Sequence, residues 1–299
     1  MKFLKKLSIM LVTGLTAFTL TAQSISFADA VAGETVVTFG QDLAAADKQK
    51  LMTEMQVDDK VKQVTVTNQE EHTYLGKYLS KAVIGNRALS SAKITLTDSG
   101  KGIAVKTNNI TSISPAMYAN AAITAGVKDA DIYVTAPFKV SGTAALTGII
   151  KAFEKATGQK IDENKKQVAN EEMVRTQDIA EKAGITGDKA AQFVNKVKEE
   201  IATQKPKTVE EYKNIIVNMS NQFNINLDQA TMNNMVQFSQ NFSSLNIDWG
   251  AISGQLDKLR GDISKVLSSD EAKGILDSIL EWIASIFRAI ADFFSSLFK

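Results

Sequence analysis

The chain has no cysteine and a single histidine, His72, among its 299 residues. The first absence excludes disulfides, thiolate zinc sites, iron–sulfur clusters and a cysteine nucleophile together. The second excludes a site built from two histidines of one chain. A surplus of either charge is missing too. The 34 Lys and Arg face 33 Asp and Glu, a formal net charge of +1, so no broadly basic surface for nucleic acid is expected. Any chemistry falls to carboxylates, hydroxyls, amides and lysines, and no metal or cofactor is expected. With 44% hydrophobic and 22% charged residues, the composition is globular rather than disordered. The length suits about two domains.

Residues 1–30 are laid out as a secretory signal peptide. Lys2, Lys5 and Lys6 precede an uncharged apolar run from Leu7 to Leu20, and Ala28-Asp29-Ala30 is a small-x-small pattern for cleavage after Ala30. The run is short for a bilayer span, and no cysteine follows it, which excludes a lipid-modified lipoprotein. Losing the leader removes three Lys and one Asp and leaves a net charge of −1. An exported chain without disulfides fits Gram-positive secretion. Asn109-Ile110-Thr111, Asn218-Met219-Ser220 and Asn241-Phe242-Ser243 match the sequon but are read as carrying no glycan.

Residues 31–158 alternate strand-like and helix-like stretches, predicting a mixed-sheet α/β domain. Strands are expected at Val36–Phe39, Val61–Thr67, Ala92–Thr97, Ile103–Lys106 and Ile132–Thr135. The link Asp98-Ser99-Gly100-Lys101-Gly102 reads as the turn of a hairpin. Helices are expected at Ala44–Met55, after an Asn68 N-cap, from Ser114-Pro115 to Ala125, and from Thr143 to Thr157. Val57, Asp59, Val64 and Thr65 are echoed about seventy residues later by Val127, Asp129, Val134 and Thr135. Either the unit is duplicated or helix-to-strand connections simply look alike.

Strand signals stop near residue 160, and residues 159–268 read as an all-α domain. Apolar residues recur at helical spacing through Ala190, Phe193, Val194, Val197 and Ile201, and again through Ile252, Leu256, Leu259, Ile263 and Val266. Thr208-Val209-Glu210-Glu211 is a capping box. The Asn- and Gln-rich stretch 217–247 keeps the apolar period, so it reads as helices with an uncharged polar face. The fold class is α+β.

Residues 269–299 form an amphipathic C-terminal helix on the pattern. Leu276, Ile279, Leu280, Ile283, Ile286, Phe287, Ile290, Phe293, Phe294, Leu297 and Phe298 fall within an arc of roughly 140° at helical spacing. Trp282 lies at its boundary, opposite Asp277, Glu281, Arg288, Asp292 and Lys299. Charges so placed do not suit a span. The face needs an apolar partner: its own domain or another copy, a membrane surface, or a dedicated protein. Five acidic against three basic residues in 270–299 argue against attraction to anionic lipid.

Few residues suggest chemistry. Ser90-Ser91-Ala92-Lys93, Tyr118-Ala119-Asn120 and Lys139 before Ser141-Gly142 match elements of penicillin-interacting enzymes. In those enzymes the serine opens a helix that brings the lysine back to it. Here it opens a strand, and the matches are read as coincidence. Lys139, Ser141, Gly142 and Thr143 lie in a strand-to-helix turn where free N–H groups can hold an anion, beside the plainer reading of a cap. Asp129 and Asp131 are a weak cation pair, and His72 reads as a surface or capping residue.

Several stretches resemble the YpuA-like secreted proteins of Firmicutes, a domain of unknown function. They are Val36-Val37-Thr38-Phe39-Gly40, Glu70-Glu71-His72-Thr73-Tyr74-Leu75-Gly76, Ser90 to Ile94, and most densely Met117 to Glu154. The resemblance implies an exported protein with a cell-envelope role and brings no catalytic residues. Ala44 stands where a Ser would cap the first helix better. The chain is thus expected to be an exported, non-enzymatic binding or structural protein, self-association through the tail being open. The alternative is an envelope-polymer hydrolase or transferase using Ser, Lys or carboxylate groups.

Overall fold

The computed structural model describes residues 31–245, 247, 250, 252–256 and 259. The leader 1–30 and the apolar face from Ile279 to Phe298 lie outside the described residues. The N-terminal part runs β1 (Thr35–Gly40), α1 (Ala45–Glu54), β2 (Lys62–Val66), α2 (Asn68–Leu75), α3 (Lys81–Ile84), β3 (Ser91–Leu96), β4 (Ile103–Ile110), α4 (Pro115–Ala125), β5 (Ala130–Val140) and α5 (Ala145–Thr157). There follow α6 (Glu163–Ala183), α7 (Gly187–Gln204), α8 (Val209–Gln222) and α9 (Gln229–Ser243). The class is α+β, with a mixed five-stranded sheet ahead of the helices.

The strand order is β2-β1-β3-β5-β4, and β3 alone runs against its neighbours. Alternation along the strands sorts the side chains. Val36, Ile94 and Ile132 share one face and pack under α4 and α5, whereas Val37 and Phe39 face Leu51, Met52 and Met55 of α1. α5 comes so close that a Cβ on Gly148 would stand 2.5 Å from Thr38 Oγ1. Both β1-α1-β2 and β4-α4-β5 are parallel crossovers stepping toward the β2 edge, yet their helices lie on opposite faces. They are therefore of opposite hand, one of them against the usual right-handed rule. A duplicated unit would keep its hand. The seventy-residue echo thus marks similar helix-to-strand connections rather than two copies of one unit.

The expected hairpin does not form. β3 and β4 are consecutive, but β5 lies between them and pairs with both. Asp129 explains the wedge. Its carbonyl accepts from Thr97 N–H at 2.8 Å and its carboxylate from Gly102 N–H at 2.8 Å, so Asp129 bridges the two ends of the link. Its backbone is left-handed, at φ 49°, a conformation Asp tolerates better than most residues. The N-cap of α2 is also one residue earlier than expected. Thr67 Oγ1 accepts from Glu70 N–H, and the Glu70 carboxylate in turn accepts from Thr67 N–H at 2.8 Å, a complete capping box. The helix ends at Leu75, leaving Tyr78 and Leu79 in the turn beyond it.

The helical half meets the α/β half along α6. Ala169 and Met173 join the core of the sheet, and Val168 and Ile179 join a second core with Phe193, Ile216 and Phe238. Ile252, Leu256 and Leu259 return to the first core. Each large apolar side chain so buried contributes roughly 1.5–3 kcal/mol. Where α4, α6 and α7 touch, the core is polar. Lys198 Nζ donates to Glu172 Oε1 at 2.6 Å and to Thr124 Oγ1 at 3.2 Å, and Thr124 donates to Glu172 Oε2. Beside them Asn195 donates to Asn120, which donates to Ala191 O. Burial pushes the Glu172 carboxyl up, while Lys198 and Thr124 pull it back. Among the described residues, no helix is long and apolar enough to cross a membrane.

Candidate functional site

In the strand-to-helix turn singled out in the sequence, the Gly142 carbonyl is held by the fold's own groups. Gly142, at φ 92°, offers its carbonyl to the Tyr118 hydroxyl at 2.5 Å and to Ala145 N–H at 3.1 Å. A Cβ there would meet the Tyr118 hydroxyl at 2.4 Å and Ile110 at 2.5 Å, which is why the position is glycine. Thr143 is buried, Ser141 is half-buried and Lys139 is exposed. Lys93 Nζ reaches across the other face of the sheet to Met55 O at 2.6 Å, while Ser91 opens β3; no helix returns the lysine to the serines. His72 Nε2 bonds Gly85 O at 3.0 Å, where α3 ends.

A cleft of about 620 Å³ opens instead where the turn after α2, the first half of α6 and the end of α9 meet. Sequence rules build each wall. Gly76 ends α2, so Lys77 and Tyr78 swing out into the cleft. Asp162 caps α6 by accepting from Asn164 and Lys165 N–H at 2.9 and 3.2 Å, which fixes where that helix starts. Val168, Glu171 and Arg175 then follow at spacings of three and four, on one side of α6.

Glu171 is the anchor of the floor, 1% exposed. Its Oε2 accepts from Asn241 Nδ2 of α9 at 2.7 Å, and Arg175 Nε stands 3.7 Å from Oε1. The Arg175 guanidinium also lies 5.4 Å from the centre of the Tyr78 ring, an attractive cation–π placement. Burial, then the Glu171 carboxylate, push the Tyr78 phenol up to about 12, against a smaller pull from Arg175. Tyr78 therefore keeps its proton at neutral pH. Gln167 lines the same cleft with its Oε1 buried and without a hydrogen-bond partner. Just outside, Lys166 ties α6 to α5 and to its own first turn through Glu154 at 3.0 Å and Glu163 at 2.8 Å. Burial alone would lower the Lys166 ammonium, but its hydrogen bonds to Glu163 and Glu154 outweigh that and raise it.

The family described as "Protein of unknown function (DUF1002)" matches residues 39–259. The chain belongs to the DUF1002 family. The match takes in every residue of the cleft from Lys77 to Leu245. Over 271 residues the chain is 45% identical to "Uncharacterized protein YpuA" of Bacillus subtilis (strain 168), covering 90% of this chain and 93% of that one. No solved structure matches. The DUF1002 cleft was not read from the sequence because its residues come from three distant segments. The one local signal was Glu171 on the helix side that also carries Val168, where a charge is out of place.

Proposed function

We propose that the protein is exported by a Gram-positive cell and acts without catalysis as a binding protein of the cell envelope or extracellular space. The cleft between α2, α6 and α9 takes its ligand, and the apolar face of residues 270–299 holds it at the envelope. The observation that carries this reading is the chemistry of the cleft. Its buried carboxylate, Glu171, is pinned by Asn241 and Arg175. Its phenol, Tyr78, is pushed up to about 12 by burial and Glu171. A general acid or base works best with a pKa near the working pH, and Tyr78 has been moved away from it. A pocket of this size with fixed polar groups suits a ligand. The leader pattern of residues 1–30 supports export, and the lack of cysteine suits that host.

Fractionation of the native host tests it. Full-length protein is expected in the envelope fraction with Val31 as its N-terminus, and protein lacking 270–299 in the medium. Unprocessed chain in the cytosol overturns export, and unchanged fractionation of the truncated chain overturns the role of the tail.

A further inference from the structure

The cleft's lining narrows what it can hold, and this inference rests on reading it as the ligand site. We propose that the ligand is an uncharged, hydroxyl-rich saccharide, a short stretch of glycan rather than an ion or a peptide.

The charges come first. Lys77 and Lys165 are matched by Asp162 and Glu171 around the cleft, so neither sign is in excess. Both acids are engaged, Asp162 on the first N–H groups of α6 and Glu171 on Asn241 and Arg175. A phosphate or carboxylate ligand calls for convergent cations; the Arg175 guanidinium is already turned to Glu171, Asp178 and the Tyr78 ring, which leaves an exposed Lys77 and a half-buried Lys165 on separate elements.

Uncharged groups supply what remains. Asn164 and Gln167 present amides, which both donate and accept, and the Ser244 hydroxyl, whose proton goes to Asn241 O, adds an acceptor. A sugar hydroxyl both donates and accepts, so neighbouring hydroxyls on a ring can each be met twice by such side chains. Gln167 Oε1 is the sharpest pointer. A buried acceptor without a partner is costly, and a ligand hydroxyl or amide N–H would complete it. Val168, Leu245 and the Tyr78 ring add apolar surface, which the C–H faces of a sugar ring can cover. About 620 Å³ accommodates more than one ring. A peptide is disfavoured because it binds well where main-chain partners are free. The described walls are helices, their ends and one turn, with no strand edge for an extended peptide to join.

The test titrates the full chain with N,N′,N″,N‴-tetraacetylchitotetraose, with tetraalanine, and with inorganic phosphate, by calorimetry and by amide NMR. The saccharide is expected to bind and to shift the signals around Tyr78 and Gln167. Gln167→Leu and the exposed Asn164→Ala should each weaken it at least tenfold. Gln167→Leu should also keep or raise the melting temperature, because it removes an unmet buried acceptor; this separates lost binding from lost fold. Saccharide binding unchanged in both variants overturns the assignment. Tetraalanine or phosphate shifting the cleft signals, with the saccharide inert, overturns the saccharide but keeps the cleft as a ligand site. No shift in the cleft with any of the three probes overturns both.

Discussion

Glu71 offers the most quantitative test of the fold. It lies on α2, 1% exposed, and its Oε1 has no hydrogen-bond partner. Burial raises its carboxyl from 4.5 to about 8, helped by the Asp42 carboxylate and opposed by the Asn68 side chain. In the unfolded chain the group gives up its proton above about 4.5, while in the folded protein it keeps it to about 8. Between those values the unfolded state binds fewer protons, so stability falls as pH rises. The loss runs at up to about 1.4 kcal/mol per pH unit and can reach a few kcal/mol in all. Glu71→Gln copies the protonated form and removes the titration. Urea unfolding followed by circular dichroism at pH 5, 6, 7 and 8 should show the two proteins close together at pH 5. The variant should lead by at least about 2 kcal/mol at pH 8 on the same linkage. A constant offset across the series, or a wild type that gains on the variant with rising pH, would refute the account of Glu71 as a neutral buried acid.

Two further perturbations probe other layers. Lys198→Met strands Glu172 in the core and should destabilise by roughly 3–5 kcal/mol, whereas pairing it with Glu172→Leu should recover most of that loss; urea midpoints of the single and double variants decide it. Ala44 occupies the N-cap of α1 with an extended backbone and no side-chain cap. Ala44→Ser should therefore add about 0.5–1 kcal/mol, read as a higher urea midpoint at an unchanged slope.

Much of the fold was legible because local chemistry and final structure agree. Ser114 and Pro115 start α4, Gly126 and Gly158 stop α4 and α5, and Thr208 with Glu211 caps α8 as the pattern requires. What failed depended on partners remote in sequence. Asp98 to Gly102 looks like a hairpin turn by itself, and only Asp129, some thirty residues on, makes it span a third strand. Thr67 and Asn68 can each cap by local chemistry, and the Glu70 carboxylate decides for Thr67. Glu172 and Lys198 look like ordinary surface charges until α4 and α7 close over them. The cleft was hidden for the same reason. Tyr78 and Asn241 satisfy unremarkable local patterns, Glu171 is locally only a charge out of place beside Val168, and their meeting is set by helix packing.

The insertion of β5 also orders events in time. Once the chain is free to fold, β1, β2 and β3 can pair among themselves, but β4 has β5 as its sheet neighbour and must wait for residues up to Val140. Until β5 arrives an eight-residue strand carries unmet main-chain groups, an invitation to a wrong partner. Asp129 reaches its places on Thr97 and Gly102 at the very step that ends this wait, so the latch that defeats the hairpin also marks the moment β4 gains its partner along one edge.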